Sequence, residues 1–144
     1  MEYGTSLGVK KFDFFKTELS QASYLQANIY KPKQIKTFLI DGLMQSKCYS
    51  KLPQVNTLPY CPIRSYSHIQ NKYFLDFQGE DWPKIIDPSS TLLAIGPERG
   101  WSDKERQTFK ANDFKPISIH QSVLKTELAI YCALSQLEYL HKTS

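Results

Sequence analysis

The segment TLLAIGPERGWSDKE, residues 91–105, constrains this chain more than any other. An apolar run of buried-strand type, Thr91 to Gly96, meets a Gly-Pro-x-x-Gly bend and runs into Ser102-Asp103-Lys104-Glu105. The S-x-x-E pattern is a capping box, with Ser102 as N-cap and Glu105 at N3, and predicts a helix to about Asn112. A continuously apolar strand followed by a tight bend and a helix belongs to a parallel sheet covered on both faces. Open α/β folds bind ligands at the carboxyl ends of such strands. Gly96 and Gly100 tolerate positive φ and close backbone approach, and Pro97 stiffens the turn. Taken alone, a Gly-Pro-x-x-Gly bend is also an ordinary β–α loop, and that plainer reading outweighs a functional one.

The other elements agree with that architecture. LGVKKFDFF (7–15) reads as a strand after a glycine turn, whereas 17–30 carries no clear period. Beyond Pro32, the residues Ile35, Phe38, Leu39 and Leu43 fall on one helical face. Pro53, Pro59 and Pro62 predict an extended or looped passage. KYFLDF (72–77) is a strand closed by Gly79, residues 82–90 form a connector with room for one helical turn, and KPISI (115–119) is a strand. From Thr126-Glu127, Ile130, Ala133, Leu134, Leu137 and Leu140 trace a helical stripe. Leu128, Tyr131 and Cys132 make its other side apolar too, so this helix should bury two faces, or one face against a partner chain. The expectation is an α/β fold with a mainly parallel sheet.

Composition narrows the class. A chain of 144 residues suits one domain, and 41% hydrophobic with 22% charged residues is an ordinary globular balance. No apolar run reaches the roughly 18 residues of a membrane span, and the first residues lack a signal-peptide pattern, so a cytoplasmic location is expected. Cys48, Cys61 and Cys132 are odd in number and far apart, and the three histidines show no ligand spacing, so no disulfide framework or metal site is expected. A net charge of +4, with the lysines spread out, permits an anionic partner without demanding one.

Two segments together are more specific than either alone. IGPERGWS (95–102) and IHQSVLKTELA (119–129) stand in the order strand, bend, capped helix, strand, bridge, terminal helix. This arrangement resembles the SPOUT class of S-adenosylmethionine-dependent RNA methyltransferases. Within it, the chain looks most like the uracil-N3 methyltransferases of small-subunit ribosomal RNA, whose hallmarks read roughly IGPEGGFS and LGxRILRTETA. TSLGVKKFDFF, LMQSKCYSKLPQV and FLDFQGED resemble further family passages more weakly.

The resemblance implies an α/β fold with a C-terminal trefoil knot, and S-adenosylmethionine as cofactor. The residues carried over for cofactor binding are Phe77, Gly79, Ile95, Gly96, Gly100, Ile119, Val123 and Leu124. It also implies Lys125 and Glu127 as the catalytic pair, with Glu98 and Arg99 as second candidates, and no metal. Removing the N3 proton of uracil calls for a cation near the carbonyls and a carboxylate near N3. The implied partners are small-subunit ribosomal RNA and a second copy of the chain, a homodimer through the C-terminal helix. The domain expected over 1–144 is a single methyltransferase domain without the family's N-terminal PUA-like RNA-binding barrel and first strand. Four positions depart from the pattern: Arg99 and His120 replace glycines, and Ser122 and Lys125 replace arginines. A positive φ at Arg99 would cost roughly 1 kcal/mol. The alternative is a non-catalytic remnant that folds and binds cofactor without methylating RNA. A generic α/β nucleotide-binding domain ranks last, because no G-x-G-x-x-G or Walker lysine is present.

Overall fold

The computed structural model describes residues 1–20, 31–46 and 51–143; Cys48 and the 21–30 part of the patternless stretch lie outside them. The described chain forms two compact units. The first holds Met1–Lys16 and the described residues up to Cys61, and the second holds Thr17–Ser20 and the chain from Pro62 onward.

In the first unit, helix α1 (Glu2–Ser6) leads to strand β1 (Lys11–Phe15), then helix α2 (Pro32–Ser46) and strand β2 (Gln54–Leu58). β1 and β2 pair in parallel, with Lys11 opposite Gln54 and Phe15 opposite Leu58. β1 starts later than the expected residue 7. Gly8 (φ 85°) turns the chain there, and Val9 N–H closes onto Gly4 O at 3.0 Å. β2 occupies the passage expected to be extended or looped, held between Pro53 and Pro59, which need no ladder bond. A Cβ on Gly4 would lie 2.9 Å from the Phe12 ring, and Ser6 Oγ donates to Gly42 O at 2.9 Å, fastening α1 to β1 and α2.

The second unit is a parallel sheet of order β4–β3–β5, built from β3 (Asn71–Glu80), β4 (Thr91–Ala94) and β5 (Lys115–Ile117). Tyr73 lies opposite Leu93 on one side and Lys115 on the other. Helices α3 (Asp103–Ala111) and α4 (Thr126–Thr143) complete it, together with short 3-10 turns at Ile63–Tyr66 and Pro88–Ser90. Alternation along β3 splits the core between two faces. Tyr73 clusters with Ile86, Ile117 and Leu137 of α4. Phe74, fully buried, stacks on Phe109 of α3 at 5.1 Å, and Phe109 also meets Trp101 and Phe114 at 4.7 and 5.0 Å.

α3 opens with the expected capping box: Ser102 Oγ accepts from Glu105 N–H at 3.1 Å, and Glu105 Oε2 accepts from Ser102 N–H at 2.9 Å. It closes with a motif that the sequence reading did not anticipate. Asp113 takes φ 64° while Phe114 N–H reaches Phe109 O and Asp113 N–H reaches Lys110 O, a Schellman arrangement with aspartate in the usual glycine place. β5 ends two residues earlier than expected, after a break in its register against β3, and Ser118 N–H donates to Glu80 O, at the end of β3, at 2.8 Å. On α4 the buried line is Ala129, Ala133 and Leu137, while Ile130, Leu134 and Leu140 are half-buried. Leu128 and Tyr139, exposed by 50% and 68%, lie outside that line.

Candidate functional site

Three segments toward the carboxyl ends of the second unit's strands meet around a cavity of about 230 Å³. The first is Leu75–Phe77, in the later half of β3 where its pairing with β5 becomes irregular, the second is the Ile95–Gly100 bend after β4, and the third is the Ile119–Leu124 bridge after β5. Phe77, Ile95, Gly96, Gly100, Ile119, Val123 and Leu124 all line it. Glu98 and Arg99 are on its wall as well. Phe77 and Val123 are exposed by 58% and 72%, so the cavity opens to solvent between apolar side chains. A larger, shallower groove of about 600 Å³ lies nearby, lined by Trp82 and Tyr139 and sharing only Ser118, Ile119 and His120. It lacks the glycine-bearing bend, so the smaller cavity is the candidate site.

Gly79 is not on the cavity wall. A Cβ there would lie 2.6 Å from the backbone nitrogens of Ile117 and Ser118, nearer still to the Ile117 carbonyl carbon, so glycine lets β3 press against the end of β5. Lys125 and Glu127 are exposed and flank Thr126, which does line the cavity. Among the described residues neither forms an ion pair.

Hydrogen bonds tie the three segments together. Trp101, 2% exposed, donates from Nε1 to Leu75 O at 2.9 Å and lies beneath Gly96, where a Cβ would come within 3.0 Å of the indole. Thr126 Oγ1 donates to Gly96 O at 3.1 Å, joining the bend to α4. Gly100 takes the positive φ of the bend, 71°, and its N–H donates to Pro97 O at 2.8 Å. Arg99 does not have positive φ, so the strain expected from an arginine at that motif position is absent. The departures at 120 and 122 are partners: His120 Nδ1 accepts from Ser122 N–H at 3.0 Å.

A charged pair on the wall escaped the sequence reading. Arg106 Nε donates to Asp76 Oδ2 at 2.5 Å, and its Nη1 donates to Asp103 Oδ1 at 3.2 Å. The Asp76 side chain is 5% exposed, and its Oδ1 also accepts from Gln78 N–H at 3.0 Å. The hydrogen bond that Arg106 donates to Asp76 holds the guanidinium above its ordinary pKa. Neither residue belongs to a hallmark, and they stand 30 positions apart, so no local pattern links them. Among the described residues, no group of three His, Cys, Asp or Glu is placed to hold a metal ion.

Known proteins give the site its context. A family described as RNA methyltransferase domain matches residues 1–138. Ribosomal RNA small subunit methyltransferase E 1 of Borreliella burgdorferi is 33% identical over 134 residues, covering 89% of this chain and 56% of that protein. Ribosomal RNA small subunit methyltransferase E of Treponema pallidum is 30% identical over 145 residues, covering 90% and 52%. The chain thus spans about half the length of the curated relatives it matches. The fold is shared with a ribosomal RNA small subunit methyltransferase E from Neisseria gonorrhoeae solved with S-adenosyl methionine, at TM-score 0.74 and 20% identity, over 96% of this chain and 58% of that one.

Proposed function

This chain belongs to the RNA methyltransferase domain family, and we propose that it methylates N3 of a uridine in small-subunit ribosomal RNA, with S-adenosylmethionine as donor. The observation that carries this reading is the meeting of the Gly96–Gly100 bend with the Ile119–Leu124 bridge on one cavity. The residues present suit the donor. Ile95, Ile119 and Leu124 offer apolar walls for a purine, and Gly96, flat on Trp101, brings backbone close without a side chain. When bound, S-adenosylmethionine supplies an electrophilic methyl group on a sulfonium.

The protein's own groups then have to deal with a weakly acidic N3–H. In this reading Lys125 faces the uracil carbonyls, where charge grows as the proton leaves, and Glu127 accepts that proton. Glu98 and Arg99, on the cavity wall, are the second pair. Exposure of Leu128 and Tyr139 on α4 supports packing of that helix against a second copy, the proposed homodimer. A C-terminal trefoil knot and a cytoplasmic location belong to the same reading. Among the described residues, no helix is long and apolar enough to cross a membrane.

The test is calorimetric titration of the chain with S-adenosylhomocysteine, followed by incubation of small-subunit RNA with S-adenosylmethionine and nucleoside mass spectrometry. One-site binding and N3-methyluridine are expected. A second reading, cofactor binding without methylation, is favoured by Ser122. It offers no cation where the hallmark that the bridge resembles has arginine, and its N–H is taken by His120. Binding with unmodified RNA would select that reading, and a folded chain that binds nothing would overturn both.

A further inference from the structure

S-adenosylmethionine and its product each carry one anionic group, the carboxylate of the amino-acid end. A cavity that selects them over a decarboxylated relative needs a cation placed for it. Arginines at 99 and 106 stand on the wall. Arg99 is exposed in the bend and would have to be ordered on binding. Arg106 is already ordered by Asp76 and Asp103.

Those two carboxylates leave Nη2 over. Among the described residues Nη2 makes no hydrogen bond, and it is the nearest atom, at 4.0 Å, to the place where a Cβ on Gly100 would sit. The glycine that the bend needs for its positive φ therefore also leaves open space in front of a guanidinium N–H₂. Asp103 is 95% exposed, so water screens it and it cancels little of the arginine's charge. Asp76 is buried and fixes the plane of the fork.

Resting on the cofactor reading above, we propose that Arg106 recognises the α-carboxylate of the bound methyl donor and product through Nη2, with Asp76 as its positioning residue. The plainer role, an ion pair that only fastens α3 to the end of β3, predicts no preference for a ligand carrying a carboxylate.

The experiment compares two ligands on the full chain by calorimetry: S-adenosylhomocysteine and its decarboxylated analogue. The unmodified protein should prefer S-adenosylhomocysteine by about tenfold or more. Arg106→Gln should weaken S-adenosylhomocysteine by about tenfold and the analogue by less than about twofold, abolishing the preference. Arg106→Lys should restore part of it, since the charge returns without the fork. Equal weakening of both ligands by Arg106→Gln would reduce the residue to a fastener and overturn the proposal. Loss of the preference in Arg99→Gln but not in Arg106→Gln would overturn it in favour of Arg99. A folded unmodified chain that binds neither ligand would overturn the cofactor reading itself, and this inference with it.

Discussion

The hydroxyl of Thr126 donates to the backbone carbonyl of Gly96 at 3.1 Å, so the first residue of α4 holds the bend that follows β4. Thr126→Val keeps the side-chain shape and removes the donor. Loss of one partly buried hydrogen bond costs about 1 kcal/mol. We expect affinity for S-adenosylhomocysteine to fall about fivefold by calorimetry, with a melting-temperature drop of about 3 °C. An unchanged affinity would show that the bend keeps its shape without this tie.

Gly79 acts through space rather than φ. Gly79→Ala places a methyl group 2.6 Å from two backbone nitrogens of the β5 end, and backbone cannot rotate away as a side chain can. Overpacking of this kind costs about 1–3 kcal/mol. The melting temperature measured by circular dichroism should fall by about 3–9 °C. A drop within error would mean that β5 shifts freely.

In the bend, conformational demand sits on Gly100 and not on Arg99. Gly100→Ala should therefore destabilise by about 1 kcal/mol, the cost of φ 71° for a residue with a Cβ. Restoring the family glycine with Arg99→Gly should give no gain, and a loss of a few tenths of a kcal/mol from the unfolded chain's added freedom. Urea unfolding of both variants decides it; a stabilised Arg99→Gly would count against this assignment of the turn.

Asp113 holds the left-handed position that ends α3. Asp113→Gly relieves the strain of a Cβ there while keeping both terminating hydrogen bonds, which are backbone groups. A gain of about 0.5–1 kcal/mol is expected, seen as a higher urea midpoint at constant slope. Destabilisation would indicate that the Asp113 carboxylate contributes more than its backbone costs.

Local features were the most legible in the sequence. The capping box of Ser102 and Glu105 needs only four consecutive residues, and TLLAI announces a strand by composition alone, although β4 lies at the edge of its sheet and its residues are half-buried. β2 was hidden because five residues between prolines, with Asn56 in the middle, carry little pattern. The stripe read on α4 holds for most of its length: Ala133 and Leu137 are buried, and Leu134 and Leu140 pack against the core, whereas the small Ala129, which the pattern passed over, is buried and Ile130 only half-buried. Convergence of three segments on one cavity could be expected only through the resemblance, because nothing local says where distant loops meet. The Asp76–Arg106 pair shows the limit most clearly, since each residue alone reads as surface charge.

The strand order β4–β3–β5 has a kinetic consequence. β3 is the middle strand, yet its neighbours follow it in the chain: Asn71 pairs with Thr91, and Tyr73 with Lys115. On a ribosome its first edge is covered soon, but its second stays open until β5 emerges, after the whole of α3. Parallel pairings between distant residues pay for loop closure before they are rewarded, so this step should set the folding rate. Until then the interval offers a chaperone, or a second nascent chain, an unpaired strand edge to bind.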